Sequence, residues 1–217
     1  MAVSGICSSF KSELLNGAHV FDSPDWVTAS AASGAYVVTS VSSMIGIAVG
    51  MGVSGPGIQA GTVVAATSST GFTLSLPTTA AIAAGTLNFT ADTFQMCLLI
   101  AAPSVTYGPT LTNYAAIGAD EVPAGSGYVT GGVVLTDVSA VTSGTTAYIT
   151  FGANPTWPSA TFSTSAAVIY NASARLSGIS GRTVAVFDLG GVQSISAGSF
   201  VLALPPASPT TALIRLA

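Results

Sequence analysis

The chain has 217 residues and a formal net charge of −4, with 49% hydrophobic side chains and only 6% charged ones. Ordinary soluble domains carry roughly 25% charged residues, so much of this surface is solvated by uncharged groups or covered by other protein. The four basic side chains, Lys11, Arg175, Arg182 and Arg215, do not cluster in sequence, which argues against nucleic acid as a partner, because phosphate binding needs grouped Lys and Arg.

A mean hydropathy of +0.69 raises the question of membranes. The longest apolar run, MIGIAVGMGV at 44–53, is half of the roughly 20 residues a spanning helix needs, and Ser42, Ser43 and Gly50 interrupt any longer window. No membrane partner is expected. The N-terminal MAVSGICSSFKSELL has no basic segment followed by an apolar core, so no secretory signal is expected and synthesis is cytosolic. Cys7 and Cys97 are unpatterned and distant in sequence, and read as buried reduced thiols.

Residues 8–17 (SSFKSELLNG) give the one helix signal: serines able to cap, Phe10 and Leu14 four apart on one face, and Asn16-Gly17 as a stop. Between Asp25 and Asp92 there is no charged side chain. That stretch alternates β-rich pieces such as AYVVTSV with turns such as SGPG, which predicts a small β unit of its own over 25–91. From Phe94 the pattern changes to compact strands: FQMCLLIA, 132–138, AYITF (147–151), AAVIYN (166–171), TVAVFDL (183–189), FVLAL (200–204) and ALIRL (212–216). Short strands at close spacing, with little 3.6-residue periodicity, predict an all-β fold: a β-sandwich or jelly-roll-like main domain over 1–24 plus 92–217, with one short N-terminal helix and an inserted β lobe. Within it, DEVPAGSGYVTGGVVL (120–135) reads as a tight glycine turn, an extended stretch holding Tyr128 and a bulged start to a strand.

The motifs that suggest chemistry have simpler readings. Gly50-Met51-Gly52-Val53-Ser54-Gly55 matches a dinucleotide fingerprint, but Pro56-Gly57 follows instead of a helix, and no acid lies about 20 positions on. His19, the sole histidine, has Asp22 and Asp25 nearby, yet an imidazole just after a helix stop more often bonds the last carbonyls. Asp120, Glu121 and Asp137 offer oxygens to Ca²⁺ without the regular spacing of a calcium loop, and otherwise serve to cap turn amides. Asn88-Phe89-Thr90 and Asn171-Ala172-Ser173 match glycosylation acceptors, a pattern without meaning in a cytosolic product. Trp26, Trp157 and the tyrosines read as core or interface packing ahead of sugar stacking. No catalytic, cofactor-binding or metal-ligating residue is assigned, and no enzyme activity or cofactor is expected.

Residues 10–21 (FKSELLNGAHVF), 92–99 (DTFQMCLL), the EVPAGSGYVTGG turn, SATFS followed by AAVIYN, VAVFDLGG and the closing ALIRL together resemble a group of tailed-bacteriophage virion proteins. In those proteins the helix and G-x-H-x-F lead almost directly into D-T-F-K. Here residues 25–91 intervene and Gln95 replaces the lysine. The intervening VTSVSSMIGIAVGMGVSGPGIQAGTVVAATSSTGFTLS is similar to a small β module of phage fibre and tail proteins. The resemblance implies a non-enzymatic component of the virion, made in the host cytoplasm: a head decoration or cement protein contacting the major capsid protein. A tail, fibre or baseplate component touching the host surface, with a surface glycan as ligand, is the alternative. The low charge and the apolar terminal strand ALIRL predict self-association, as a homotrimer.

Overall fold

A computed structural model describes residues 1–22, 26–173 and 179–216. The molecule is mostly β with a single α-helix among the described residues, and its strands form antiparallel sheets. It divides into two compact units: the first holds Met1–Asn16, Thr93–Ser173 and residues 179–216, the second Gly17–Asp92.

The first unit opens with strand β1 (Gly5–Ile6) and helix α1 (Ser8–Leu15). Phe10 is the buried residue of α1, while Leu15 is 90% exposed. The expected serine cap is not made: Cys7 holds the N-cap position without a side-chain hydrogen bond. At the other end Asn16 is the C-cap, and Gly17 takes the left-handed φ of +69° that a side chain resists.

In the second unit, strands β2 (Val27–Ala31), β3 (Val37–Val38), β4 (Val53–Ser54), β5 (Val64–Thr67), β6 (Phe72–Leu74) and β7 (Ile82–Phe89) form two three-stranded sheets, ordered β2-β7-β4 and β3-β6-β5. Alternation along the strands sends Val27, Ala29, Phe72, Leu74, Leu87 and Phe89 into one core with Met51 and Val64, and Phe72 meets Phe89 edge-on at 5.5 Å. Hydroxyls and amides do the polar work that charges do elsewhere: Thr78 donates to the Ala32 carbonyl (2.6 Å) and accepts from Ala35 N–H (3.1 Å), and Gln59 donates to the Pro77 carbonyl (2.6 Å). The unit starts at Gly17, upstream of residue 25, because Val20 pairs with Asp92. Val20 N–H donates to the Asp92 carboxylate (2.8 Å), and Asp92 N–H donates to the Val20 carbonyl (2.9 Å).

The first unit resumes with β8 (Phe94–Ile100), β9 (Val133–Leu135), β10 (Ser139–Ser143), β11 (Thr146–Thr150), β12 (Thr156–Asn171), β13 (Arg182–Val201) and β14 (Arg215–Leu216). One sheet runs β1-β13-β12-β8-β9 and a smaller one β10-β11-β14. Met96, Cys97, Leu98 and Leu99 on β8 and Ala166 to Ile169 on β12 are all fully buried, so the sheet centre is covered on both faces, as such continuous apolar runs require. The pieces SATFS and AAVIYN are one strand, and TVAVFDL joins the start of FVLAL in another. Their shared ladder shifts register between Trp157 and Ala160, between Ala160 and Phe162, between Thr164 and Ala166, and between Ile169 and Tyr170. At the third of these Gln193 faces Thr164 and Asp188 faces Ala166, so residues 189–192 leave the ladder as a bulge. Beyond it the hairpin continues as a two-stranded ribbon.

Residues 17–92 expressed alone are expected to fold and melt cooperatively, since their ends are clasped together and their core is internal. Asp92→Ala should lower that fragment's stability by about 1–3 kcal/mol in chemical denaturation, by stripping an acceptor from a half-buried N–H.

Candidate functional site

The glycine-rich segment at 120–135 packs where two adjacent carboxylates enter the first unit. Asn113 starts the approach: its side chain accepts from Ala115 N–H (2.9 Å) and caps a 3-10 turn over Tyr114–Ala116, followed by a second over Gly118–Asp120. Asp120 and Glu121 come next and are buried, at 6% and 9% exposure. They serve different partners. Asp120 accepts from Ser104 N–H (2.9 Å), Ser104 Oγ (2.7 Å) and the Tyr107 hydroxyl (2.8 Å). Glu121 accepts from the hydroxyls of Tyr114 (2.5 Å) and Tyr128 (2.7 Å) and from Gly131 N–H (2.6 Å).

The network extends into the sheet. The Tyr128 hydroxyl also accepts from Leu98 N–H of β8 (3.0 Å), and the Tyr170 hydroxyl of β12 lies between the Gln95 side-chain oxygen and the Gly131 carbonyl. Tyr114 stacks on Tyr170, with ring centroids 4.3 Å apart. Gly127 permits the turn to touch β12: a Cβ there would lie 2.6 Å from the Ser159 carbonyl oxygen.

Hydrogen bonds from Ser104 N–H, then from its hydroxyl, hold the Asp120 carboxyl below its ordinary value of 3.8. Burial, then the neighbouring Asp120 carboxylate, pushes the Tyr107 phenol up to about 12. Burial foremost also raises Tyr114, Tyr128 and Tyr170, with Glu121 adding to each. Cys97 is fully buried and raised by burial and then by Glu121, and Cys7, also fully buried, is raised chiefly by burial. Carboxylates whose lone pairs are taken by hydroxyl and N–H donors of several loops brace those loops against the sheet.

The other sequence candidates stand apart from this cluster. His19 lies in the second unit, buried and stacked on Phe21 at 6.3 Å; Asp22 is exposed, and Asp25 and Arg175 fall outside the described residues. The Gly50–Gly55 stretch is a turn leading into β4, with Met51 in the core. Asp137 sits between β9 and β10, and no group of three His, Cys, Asp or Glu poised for a metal occurs among the described residues. Trp157 is 1% exposed and packs with Tyr128 and Phe200, whereas Trp26 is 59% exposed.

The surface offers a second candidate. In the first unit a cavity of about 500 Å³ is lined by Met1, Ala2, Ala101, Pro103, Asp188 and Val192. Met1 (83%), Val3 (54%), Val105 (54%) and Val192 (55%) are exposed; Val3 N–H donates to the Tyr107 carbonyl and Tyr107 N–H to the Met1 carbonyl (2.8 and 3.0 Å), which ties the N-terminal strand to the loop carrying Val105. Met1 and Val192 border the same cavity, and the N-terminal strand brings Val3 beside that loop. The sequence did not reveal them, because the grouping depends on which loops meet. No protein-family model, curated protein or solved structure matches this chain.

Glu121→Ala should destabilise the first unit by about 3 kcal/mol in denaturant unfolding, since two hydroxyls and one N–H lose their acceptor. Because the Asp120 pKa is depressed by folding, its contribution is present above the ordinary carboxylate value and fades as pH falls through the lower folded value. Asp120→Asn is therefore expected to lower stability at neutral pH and to flatten the acid limb of a stability–pH curve.

Proposed function

We propose that this chain is a non-enzymatic structural component of a virus particle, a decoration or cement protein that binds the assembled head of a tailed bacteriophage. The observation that carries the reading is the exposure of Met1, Val3, Val105 and Val192, with Met1 and Val192 bordering one cavity, on a chain with only 6% charged residues. Such a surface favours permanent protein contact over free diffusion. The resemblance of the 10–21, 92–99 and 121–132 motifs to virion proteins supplies the kind of particle. A protein that binds only the assembled shell stabilises it by mass action over many sites, so each contact need only be modest.

A tail or fibre component touching the host surface is the second reading. Trp26 (59% exposed) and Tyr36 (50% exposed), in the stretch between Asp25 and Asp92 that carries no charged side chain, favour it, since half-exposed aromatics suit sugar faces. In either reading the chain associates with itself, as a trimer, and contacts other virion proteins, the major capsid protein foremost.

Particles lacking this chain are expected to assemble but to lose their genome at lower temperature or on osmotic shock, with adsorption to cells unchanged. Normal heat resistance with abolished adsorption overturns the cement reading in favour of the fibre one. Replacing Val105 and Val192 together by aspartate should abolish attachment to shells, scored by co-sedimentation, while moving the isolated protein's stability by no more than about 0.5 kcal/mol per site. Attachment that survives both substitutions counts against this surface.

A further inference from the structure

Asn16-Gly17 is the only Asn-Gly pair among five asparagines in the chain. Both residues are exposed, and a Cβ added to Gly17 would meet nothing within 4 Å. We propose that this pair is a site of spontaneous covalent modification. The Gly17 main-chain nitrogen attacks the Asn16 side-chain carbonyl carbon; a C–N bond forms within a five-membered succinimide, the amide C–N bond breaks and ammonia leaves. Water then opens the ring at either carbonyl, leaving aspartate or isoaspartate. The net change is amide plus water to carboxylic acid plus ammonia, and no oxidant, reductant or catalyst is required.

Two features make Asn16 the reactive one. Glycine after the asparagine leaves the attacking nitrogen unhindered and its backbone free to rotate. Ring closure also requires Asn16 to rotate away from its C-cap ψ of 3°, at the end of α1, where Asn16 N–H bonds the Ser12 carbonyl at 3.1 Å. Helix ends fray readily, so that rotation is accessible from the folded state. The remaining asparagines are protected. Asn154 precedes Pro155, which has no N–H to attack with. Asn171 is fully buried, with its side-chain oxygen engaged by Ser173 N–H (2.9 Å). Asn113 is tied at both ends of its amide, to Ala115 N–H and to the Ser180 carbonyl. Asn88 sits in the β7 ladder opposite Ser54 and is followed by Phe89.

The product makes the formal charge one unit more negative than −4. It places that charge at the negative end of the α1 dipole, three residues beyond Glu13, where it disfavours the last turn. The isoaspartyl form also adds a carbon to the main chain where it leaves α1.

The test incubates folded full-length protein at mildly alkaline pH and follows it by peptide mapping with isoaspartyl-specific methyl labelling. The expected result is a gain of about 1 Da confined to the Asn16 peptide, faster at higher pH, abolished in Asn16→Gln and slowed in Gly17→Ala. If folded protein keeps Asn16 intact while urea-unfolded chain loses it, or if all five asparagines react alike, the proposal is wrong. Asn16→Gln retains the amide and the helix cap region, so it stays informative even if Gly17→Ala fails to fold.

Discussion

A buried carboxylate must find donors for its lone pairs, because leaving it unpaired away from water costs several kcal/mol. The centre of the first unit is arranged around that demand made twice, at consecutive residues. Asp120 draws in Ser104 and Tyr107, and Glu121 draws in Tyr114, Tyr128 and Gly131. The first set fixes the loop after β8 and the second fixes the glycine turn against the sheet. Strand β8 is thereby linked to the cluster through Leu98 N–H and the Tyr128 hydroxyl. The exposed apolar surface depends on this in turn, since Val105 lies in the loop that Ser104 and Tyr107 anchor.

Charge is scarce, and much of it is engaged in holding structure. Besides the central pair, Asp92 receives Val20 N–H in the second unit, and Glu13 pairs with Arg182 at 2.9 Å, both largely buried. What remains for solvation is a thin scatter of ions and many hydroxyls. Hydroxyls hydrate adequately but do not repel a neighbouring copy, so such a surface does little to resist close contact between molecules.

Much of the fold can be read from local pattern. The helix over 8–15 follows from the Phe10–Leu14 spacing and the Asn-Gly stop, and the buried strands follow from their apolar runs. The long hairpin cannot be read in the same way: its bulges place Ser159 and Ala197 at φ of 54° and 49°, conformations that serine and alanine do not advertise, so a continuous strand looks like separate short ones. The carboxylate–tyrosine cluster is half legible. The acidic pair and the glycine turn are conspicuous in sequence, but the partners Ser104, Tyr107 and Tyr114 belong to loops whose meeting is a property of the tertiary structure. The second unit's start at Gly17 was hidden for the same reason, since the Val20–Asp92 clasp joins residues at opposite ends of the segment.

The two cysteines are closed off from redox chemistry. Each is fully enclosed, and burial raises both thiols, which suppresses the thiolate that oxidants and disulfides attack. The fold therefore carries no redox-dependent element at either sulfur.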